Sequence, residues 1–297
     1  MSNKGGRRRS SGGTRGKGQQ RARRAGRREG QRGTTPVRKA DQSRQRSVGG
    51  EQVEGRQAVR ELLLAGTRRT HEVVMAVDLD DAPILTDIID LADEAKVTIR
   101  QISRGRFEAM AHTESAQGVL ATAAPLRPAE LDDLAEAGPT GEPPFLLLLD
   151  GITDPGNLGA ILRSAECAGV TGVVLPRHRA AKVTPAVAKA AAGAVEHLPI
   201  ALAAGLPAAM ADLSSRGIWT VGLDAAGDRS VHDLTVAAEP VALVLGAEGA
   251  GLSRLVRERC DTVASIPLHG VLASLNVAAA TAVACYEIAR LRAAGPA

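Results

Sequence analysis

Apolar side chains in the second half of the chain come in short, nearly unbroken runs: Phe145–Leu149, 173–175, Trp219–Leu223 and Val241–Leu245. Runs of that length and continuity predict strands buried on both faces. Between them the apolar residues recur at helical spacing, predicting helices around 157–168, 184–192, 206–216 and 252–259. An Ala-rich stretch from 276 to 292 predicts a long closing helix. Strands alternating with helices imply a parallel sheet covered on both sides.

The first half has a different texture. The segment 55–66 predicts a helix stopped by Gly66. Residues 71–77 alternate weakly and are rich in Val, so they predict a strand. Ile84, Leu85, Ile88, Ile89 and Ala92 share one helix face within 83–95. A strand over 97–102, a short helix near 107–111 and a strand over 118–122 complete a small α/β unit. The expected organisation is a basic tail over 1–50, a small domain over 51–125, a linker over 126–143 with Pro139, Gly141 and Pro143-Pro144, and a larger domain over 144–297.

Charge sharpens the tail. Of 37 basic and 33 acidic residues, 16 basic ones and only Glu29 and Asp41 fall within 1–50, leaving 21 basic and 31 acidic residues for the rest. A segment of Arg, Gly, Gln and Ser cannot bury enough surface to offset its ordering entropy, so it is expected to be disordered. It fits an arm for polyanions held by counterion release, or a solubilising tail.

Two Phe, one Tyr and one Trp in the whole chain exclude a base-stacking platform. Cys167, Cys260 and Cys285 are odd in number and far apart, without disulfide or zinc spacing. His71, His112, His178, His197, His232 and His269 likewise show no metal-ligand spacing, and no metal is expected. No apolar run is long enough to span a bilayer and no secretory h-region opens the chain, so a soluble, cytoplasmic protein without a membrane partner is expected.

In parallel sheets ligands bind beyond the carboxyl ends of the strands. Three such ends carry unusual sequence. The first is Asp150-Gly151-Ile152-Thr153-Asp154-Pro155-Gly156-Asn157-Leu158-Gly159, leading to Arg163 and Glu166. The second is Leu245-Gly246-Ala247-Glu248-Gly249-Ala250-Gly251-Leu252. The third is Ile266-Pro267-Leu268-His269-Gly270, followed by Ser274-Leu275-Asn276-Val277. Taken singly they have plainer readings. Asn157, Ser274 and Asn276 can be helix caps, and Arg163 can pair with Glu166 at i+3. The glycine loop fits neither the P-loop nor the dinucleotide fingerprint.

Jointly, and in this order, the motifs resemble those of the SpoU (TrmH) family of RNA 2′-O-methyltransferases, within the SPOUT superfamily. The resemblance runs from Leu149 to about Val283. Residues 52–124, with Glu54-Gly55, Ala58-Val59 and Gln117-Gly118-Val119, look like the L30e-like substrate-binding domain of some members. What the resemblance implies is an α/β fold with a trefoil-knotted methyltransferase domain, a homodimer, S-adenosyl-L-methionine as cofactor and RNA as partner, most simply rRNA. It implies cofactor contacts at Gly246, Ile266 and Leu275, and a catalytic set of Arg163, Asn157, Glu248, Ser274 and Asn276. Leu268 stands where the family often has Met, a conservative change. A 23S rRNA guanosine is the expected target. Another rRNA nucleotide such as a resistance-type adenosine, tRNA, or a non-catalytic ribosome-assembly role are the alternatives. Two smaller expectations stay open: His269 faces the site or solvent, and Arg177-His178-Arg179 meets RNA phosphate or is a solvated charge run.

Overall fold

The computed structural model describes residues 47–114, 116–138, 141–178 and 181–294. The expected tail lies outside these residues up to position 46, as does Arg179. Val48 and Gly49, assigned to the tail from composition, are buried. Val48 donates its N–H to Leu126 O at 2.9 Å, and Gly49 bridges Val183.

Two sheets organise the chain. The smaller contains β1 (Gln52–Glu54), β2 (Thr70–Ala76), β3 (Thr98–Ile102) and β4 (Val119–Ala123) in the order β1-β4-β2-β3. β2 and β3 are parallel, while β4 runs antiparallel to both β1 and β2. Helices Arg56–Ala65 and Pro83–Glu94 bury Val59, Leu62, Ile88 and Ala92 on one face, and Phe107 packs on the other.

The larger sheet contains β5 (Phe145–Leu149), β6 (Gly172–Pro176), β7 (Ile200–Ala203), β8 (Trp219–Leu223), β9 (Arg229–Ser230), β10 (Val241–Leu245) and β11 (Thr262–Ser265). Its order is β7-β6-β5-β10-β8-β11-β9, and every pairing is parallel. β5 and β10 sit at its centre with every residue buried. Alternation divides their side chains between two layers. Phe145, Leu147 and Leu149 face the core shared with helices Pro155–Cys167 and Val277–Ala293. Leu146 and Leu148 face the core of helix Leu206–Ser215.

Strands β1, β7 and β9 escaped the sequence pattern because they are short. β7 reads Ile-Ala-Leu-Ala and lacks the β-branched density that marked its neighbours. The segment expected as a linker carries its own packing: Ala129 N–H donates to Ile200 O at 2.9 Å, and Leu134 is buried.

Buried ion pairing joins the layers around the small sheet to the large one. Arg68 donates to both carboxylate oxygens of Glu196, at 2.9 and 2.6 Å, and to the carbonyls of Gly50 and Ala124 at 3.0 and 2.8 Å. Glu196 is fully buried, and such a charge is tolerable only when paired and hydrogen-bonded. Arg292, near the end of the last helix, closes the opposite side of the large sheet. Its guanidinium donates to the carbonyls of Ala237, Pro143, Pro144 and Glu239 at 2.8–2.9 Å and lies 5.1 Å from the centre of the Phe145 ring. Burial pulls its pKa below the usual arginine value, opposed by the charge of Glu142.

Candidate functional site

Parallel pairing brings the carboxyl ends of β5, β10, β8 and β11 to one edge of the sheet. The loops after β8, β10 and β11 line a cavity of about 670 Å³, a volume typical of a small-molecule site. Gly246, Ile266 and Leu275, the expected cofactor contacts, all line it, as do Glu248, Ser274 and Asn276.

The glycine loop is built by its backbone. Ala247 and Gly251 exchange two hydrogen bonds, at 3.0 and 2.9 Å, which close the loop on itself. Gly249 and Gly251 take positive φ of 78° and 65° there, values that L side chains adopt at a cost. A side chain at Gly246 would drive its Cβ into the backbone of Gly251 and Leu252. Loop closure, rather than ligand approach alone, therefore demands glycine at 246. Asp150, at the end of β5, anchors the far side of the loop by accepting the Ser253 N–H at 2.8 Å.

Three expected catalytic residues form one hydrogen-bonded chain. Pro155 opens the helix Pro155–Cys167, and Asp154 caps it by accepting the Asn157 N–H at 2.6 Å. That places the Asn157 side chain toward the glycine loop, where its Nδ2 donates to Glu248 at 2.9 Å. Asn276 caps the last helix, accepting the Ala278 N–H on Oδ1 at 2.9 Å. The cap fixes which way this amide points, so its Nδ2 faces Asn157 Oδ1 at 3.0 Å. Capping and site-building are thus both true of Asn276.

Other expected residues stand apart. Arg163 is exposed on the helix that begins at Pro155, it does not line the cavity, and no ion pair joins it to Glu166. Ser274 lines the cavity on an exposed loop. His269 is exposed and is not part of the lining, so solvent is its environment. Arg177 and His178 are exposed. Burial pushes the thiols of Cys260 and Cys285 up to about 11 and about 12, which leaves them protonated and unsuited to nucleophilic work. Among the described residues no cluster of His, Cys, Asp and Glu could hold a metal, and no helix is long and apolar enough to cross a membrane.

Sequence reasoning passed over Asp224 and gave Asp150, though it opens the first motif, no role of its own. Both directly follow a buried strand, and Asp224 lines the cavity. Their position at strand ends was the available signal. In the small sheet, Glu54 is buried and accepts from Gln52, from the His112 and Thr113 N–H groups and from the Thr113 hydroxyl, at 2.6–2.9 Å. Burial pushes its pKa up, but these hydrogen bonds outweigh it and hold the carboxyl below its usual value. Gln117 Oε1 accepts the Arg56 N–H at 3.2 Å, so Glu54-Gly55 and Gln117-Gly118, far apart in sequence, form one corner.

The cavity suits a cationic nucleoside. Its apolar wall includes Leu245, Ile266 and Leu275, and its charged lining residues are Asp224 and Glu248, both acidic. Asp224 is paired with Arg257, so the Glu248 carboxylate is the charge that matches the cations of S-adenosylmethionine, and its adenine matches that wall.

Comparison with known proteins agrees with this chemistry. Residues 144–286 match the SpoU rRNA methylase family, and residues 52–129 match the RNA 2′-O ribose methyltransferase substrate-binding family. A relative from Bacillus subtilis, named as the TrmH-family tRNA/rRNA methyltransferase YacO with its assignment marked provisional, is 41% identical over 69% of this chain and 82% of its own. The 23S rRNA (guanosine-2′-O-)-methyltransferase RlmB of Pseudomonas syringae is 39% identical over 82% of this chain and 97% of its own. Among solved structures, the SpoU methyltransferase AviRb from Streptomyces viridochromogenes in complex with AdoMet superposes with a TM-score of 0.68 at 26% identity, covering 82% of this chain and 91% of that one. The chain belongs to the SpoU rRNA methylase family and is an S-adenosylmethionine-dependent RNA ribose 2′-O-methyltransferase.

Proposed function

We propose that this enzyme methylates the 2′-hydroxyl of a guanosine in 23S rRNA, acting in the cytoplasm as a homodimer with a trefoil-knotted catalytic domain. The observation that carries the catalytic part is the cavity at the strand ends, joined to the Glu248–Asn157–Asn276 chain. The target nucleotide rests on the RlmB relatives, which are 38–39% identical over at least 80% of this chain. The knot is supported by the sheet order, with β10 between β5 and β8, and by the gathering of three strand-end loops around one cavity. The small sheet and its helices support an L30e-like domain over 51–125 that grips the RNA.

S-adenosylmethionine supplies a methyl group on a sulfonium, already activated for in-line displacement. The protein aligns the ribose oxygen with that methyl and manages the hydroxyl proton. Asn157 holds Glu248 and Asn276 in register, which orders the glycine loop and the loop before the last helix. Ser274 offers a hydroxyl to the ribose at the cavity rim. Arg163, whose charge acts on the neighbouring Cys167, makes no hydrogen bond or ion pair among the described residues and is available to grip ribose and phosphate by its fork. It is ill suited to act as a base, because a guanidinium keeps its proton in proteins.

The homodimer is supported by apolar surface at the cavity rim. Val271 and Leu272 are 102% and 81% exposed, and Val283 and Tyr286 are exposed on the last helix. That helix is apolar around much of its circumference, as expected of one covered on two sides.

In the decisive experiment, purified wild type and Arg163→Ala are compared for S-adenosylhomocysteine binding by calorimetry and for methylation of 23S rRNA and tRNA, with the modified nucleotide mapped. The variant is expected to bind cofactor product normally and to lose methylation of a 23S guanosine. Wild-type turnover by the variant would remove Arg163 from the site, and methylation confined to tRNA would overturn the substrate. The basic segment 1–46, which stops short of the buried Val48, is proposed as a non-specific RNA arm. Its deletion should weaken RNA affinity at low salt and leave cofactor binding unchanged, and equal RNA affinity of both forms at low salt would refute it.

A further inference from the structure

We propose that Asp224 receives the ribose hydroxyls of the cofactor and that Arg257 holds it in position to do so. The inference rests on reading the cavity at the strand ends as the cofactor site. Within the sheet, β8 lies between β10 and β11. Gly246 follows β10 and Ile266 follows β11, and both line the cavity on either side of Asp224, which follows β8. A ligand bridging those two walls presents its middle, the ribose joining base to amino acid, to the strand between them.

The carboxylate is prepared for such a contact. Asp224 Oδ2 lies 2.8 Å from Arg257 Nη1, and Oδ1 accepts the Ala226 N–H at 2.8 Å. Arg257 also donates to the Ala226 carbonyl at 3.1 Å, so the cation is fastened to the same turn as the acid. An ionised carboxylate offers about four acceptor sites. The contacts with Arg257 and Ala226 occupy one on each oxygen, leaving a pair for a vicinal diol. The side chain is 21% exposed. A Cβ on Gly251 would stand 3.3 Å from Oδ2, so the glycine loop passes close over the acid. The other acidic lining residue, Glu248, is engaged by Asn157.

The test is calorimetric and needs no turnover. Wild-type protein is titrated with S-adenosylhomocysteine, with its 2′-deoxy and 3′-deoxy analogues, and with 5′-methylthioadenosine, which keeps the ribose but lacks the ammonium. Asp224→Asn and Asp224→Ala are titrated alongside, with thermal melts to confirm folding. A hydrogen bond to a charged group corresponds to roughly ten- to a hundredfold in affinity. Wild type should therefore bind at least one deoxy analogue weaker by that factor, and the variants should lose most of the discrimination. The variants should also bind 5′-methylthioadenosine more weakly than wild type does. Equal affinity of wild type for S-adenosylhomocysteine and both deoxy analogues would overturn the proposal, even if neither variant folds. Undiminished binding of 5′-methylthioadenosine by the folded variants would also overturn it and would assign Asp224 to the ammonium. Failure of wild type to bind S-adenosylhomocysteine at all would overturn the cofactor-site reading and the proposal with it.

Discussion

The two ends of the large sheet solve opposite problems with similar polar groups. At the amino end, Arg292 satisfies four carbonyl oxygens and covers Phe145. At the carboxyl end, Asn157, Glu248 and Asn276 form an exposed chain beside an open cavity, next to a loop whose Val271 and Leu272 stand in solvent. One end is closed and internally paired, and the other is ordered but left with unused capacity. The lesson is that buried pairing marks what holds the fold, and ordered exposure marks where it acts.

The largest expected effect breaks the closed end. Arg292→Ala strands several carbonyls and removes the cation over Phe145, so it should lower unfolding free energy by about 3 kcal/mol in denaturant titrations. Cofactor affinity of the folded fraction should be unchanged, and a variant as stable as wild type would refute the structural role. Next comes the exposed rim. Leu272→Asp should weaken self-association by roughly 2 kcal/mol, as for a central apolar anchor. Light scattering should then show wild type near twice 30.7 kDa and the variant shifted toward a single chain. A monomeric wild type would show that a second copy is not what covers this loop. The smallest effect sharpens the contrast. Asn157→Ala should slow methyl transfer by about tenfold, roughly 1.4 kcal/mol of barrier, with a melting temperature close to wild type. A large loss of stability instead would place Asn157 with the holding residues.

Legibility followed the physics of each signal. The central strands were visible because burial on both faces demands continuous apolar runs, and all of Phe145–Leu149 and Val241–Leu245 is buried. β7, with alternating Ala, was not, because its placement depends on pairing with Pro199–Ala203's neighbours in β6 rather than on its own composition. The end of the basic segment was misjudged for the same reason: Val48 is buried by a partner at Leu126 that no local pattern announces. In the site, Gly246, Glu248 and Asn276 were recognisable from motif order. Asp224 was passed over because a single Asp after a strand resembles an ordinary turn until the sheet order sets it between Gly246 and Ile266.

What the sequence by itself determined is the set of groups available: buried strands, a glycine-rich loop, amides at helix starts, an arginine one helix turn and more beyond them, and a polycationic segment without aromatic platforms. These are local properties, set by side-chain chemistry and spacing. Only the tertiary structure decided which of them meet. Asn157, Glu248 and Asn276 are separated by 91 and 119 residues along the chain in the hydrogen bonds that Asn157 makes. They converge because parallel pairing places every strand's carboxyl end on one edge. Arg163 shares the helix of Asn157 and neither lines the cavity, but only Asn157 is tied to its edge, through Glu248 and Asn276, because adjacency in sequence does not fix which side of a helix a group serves.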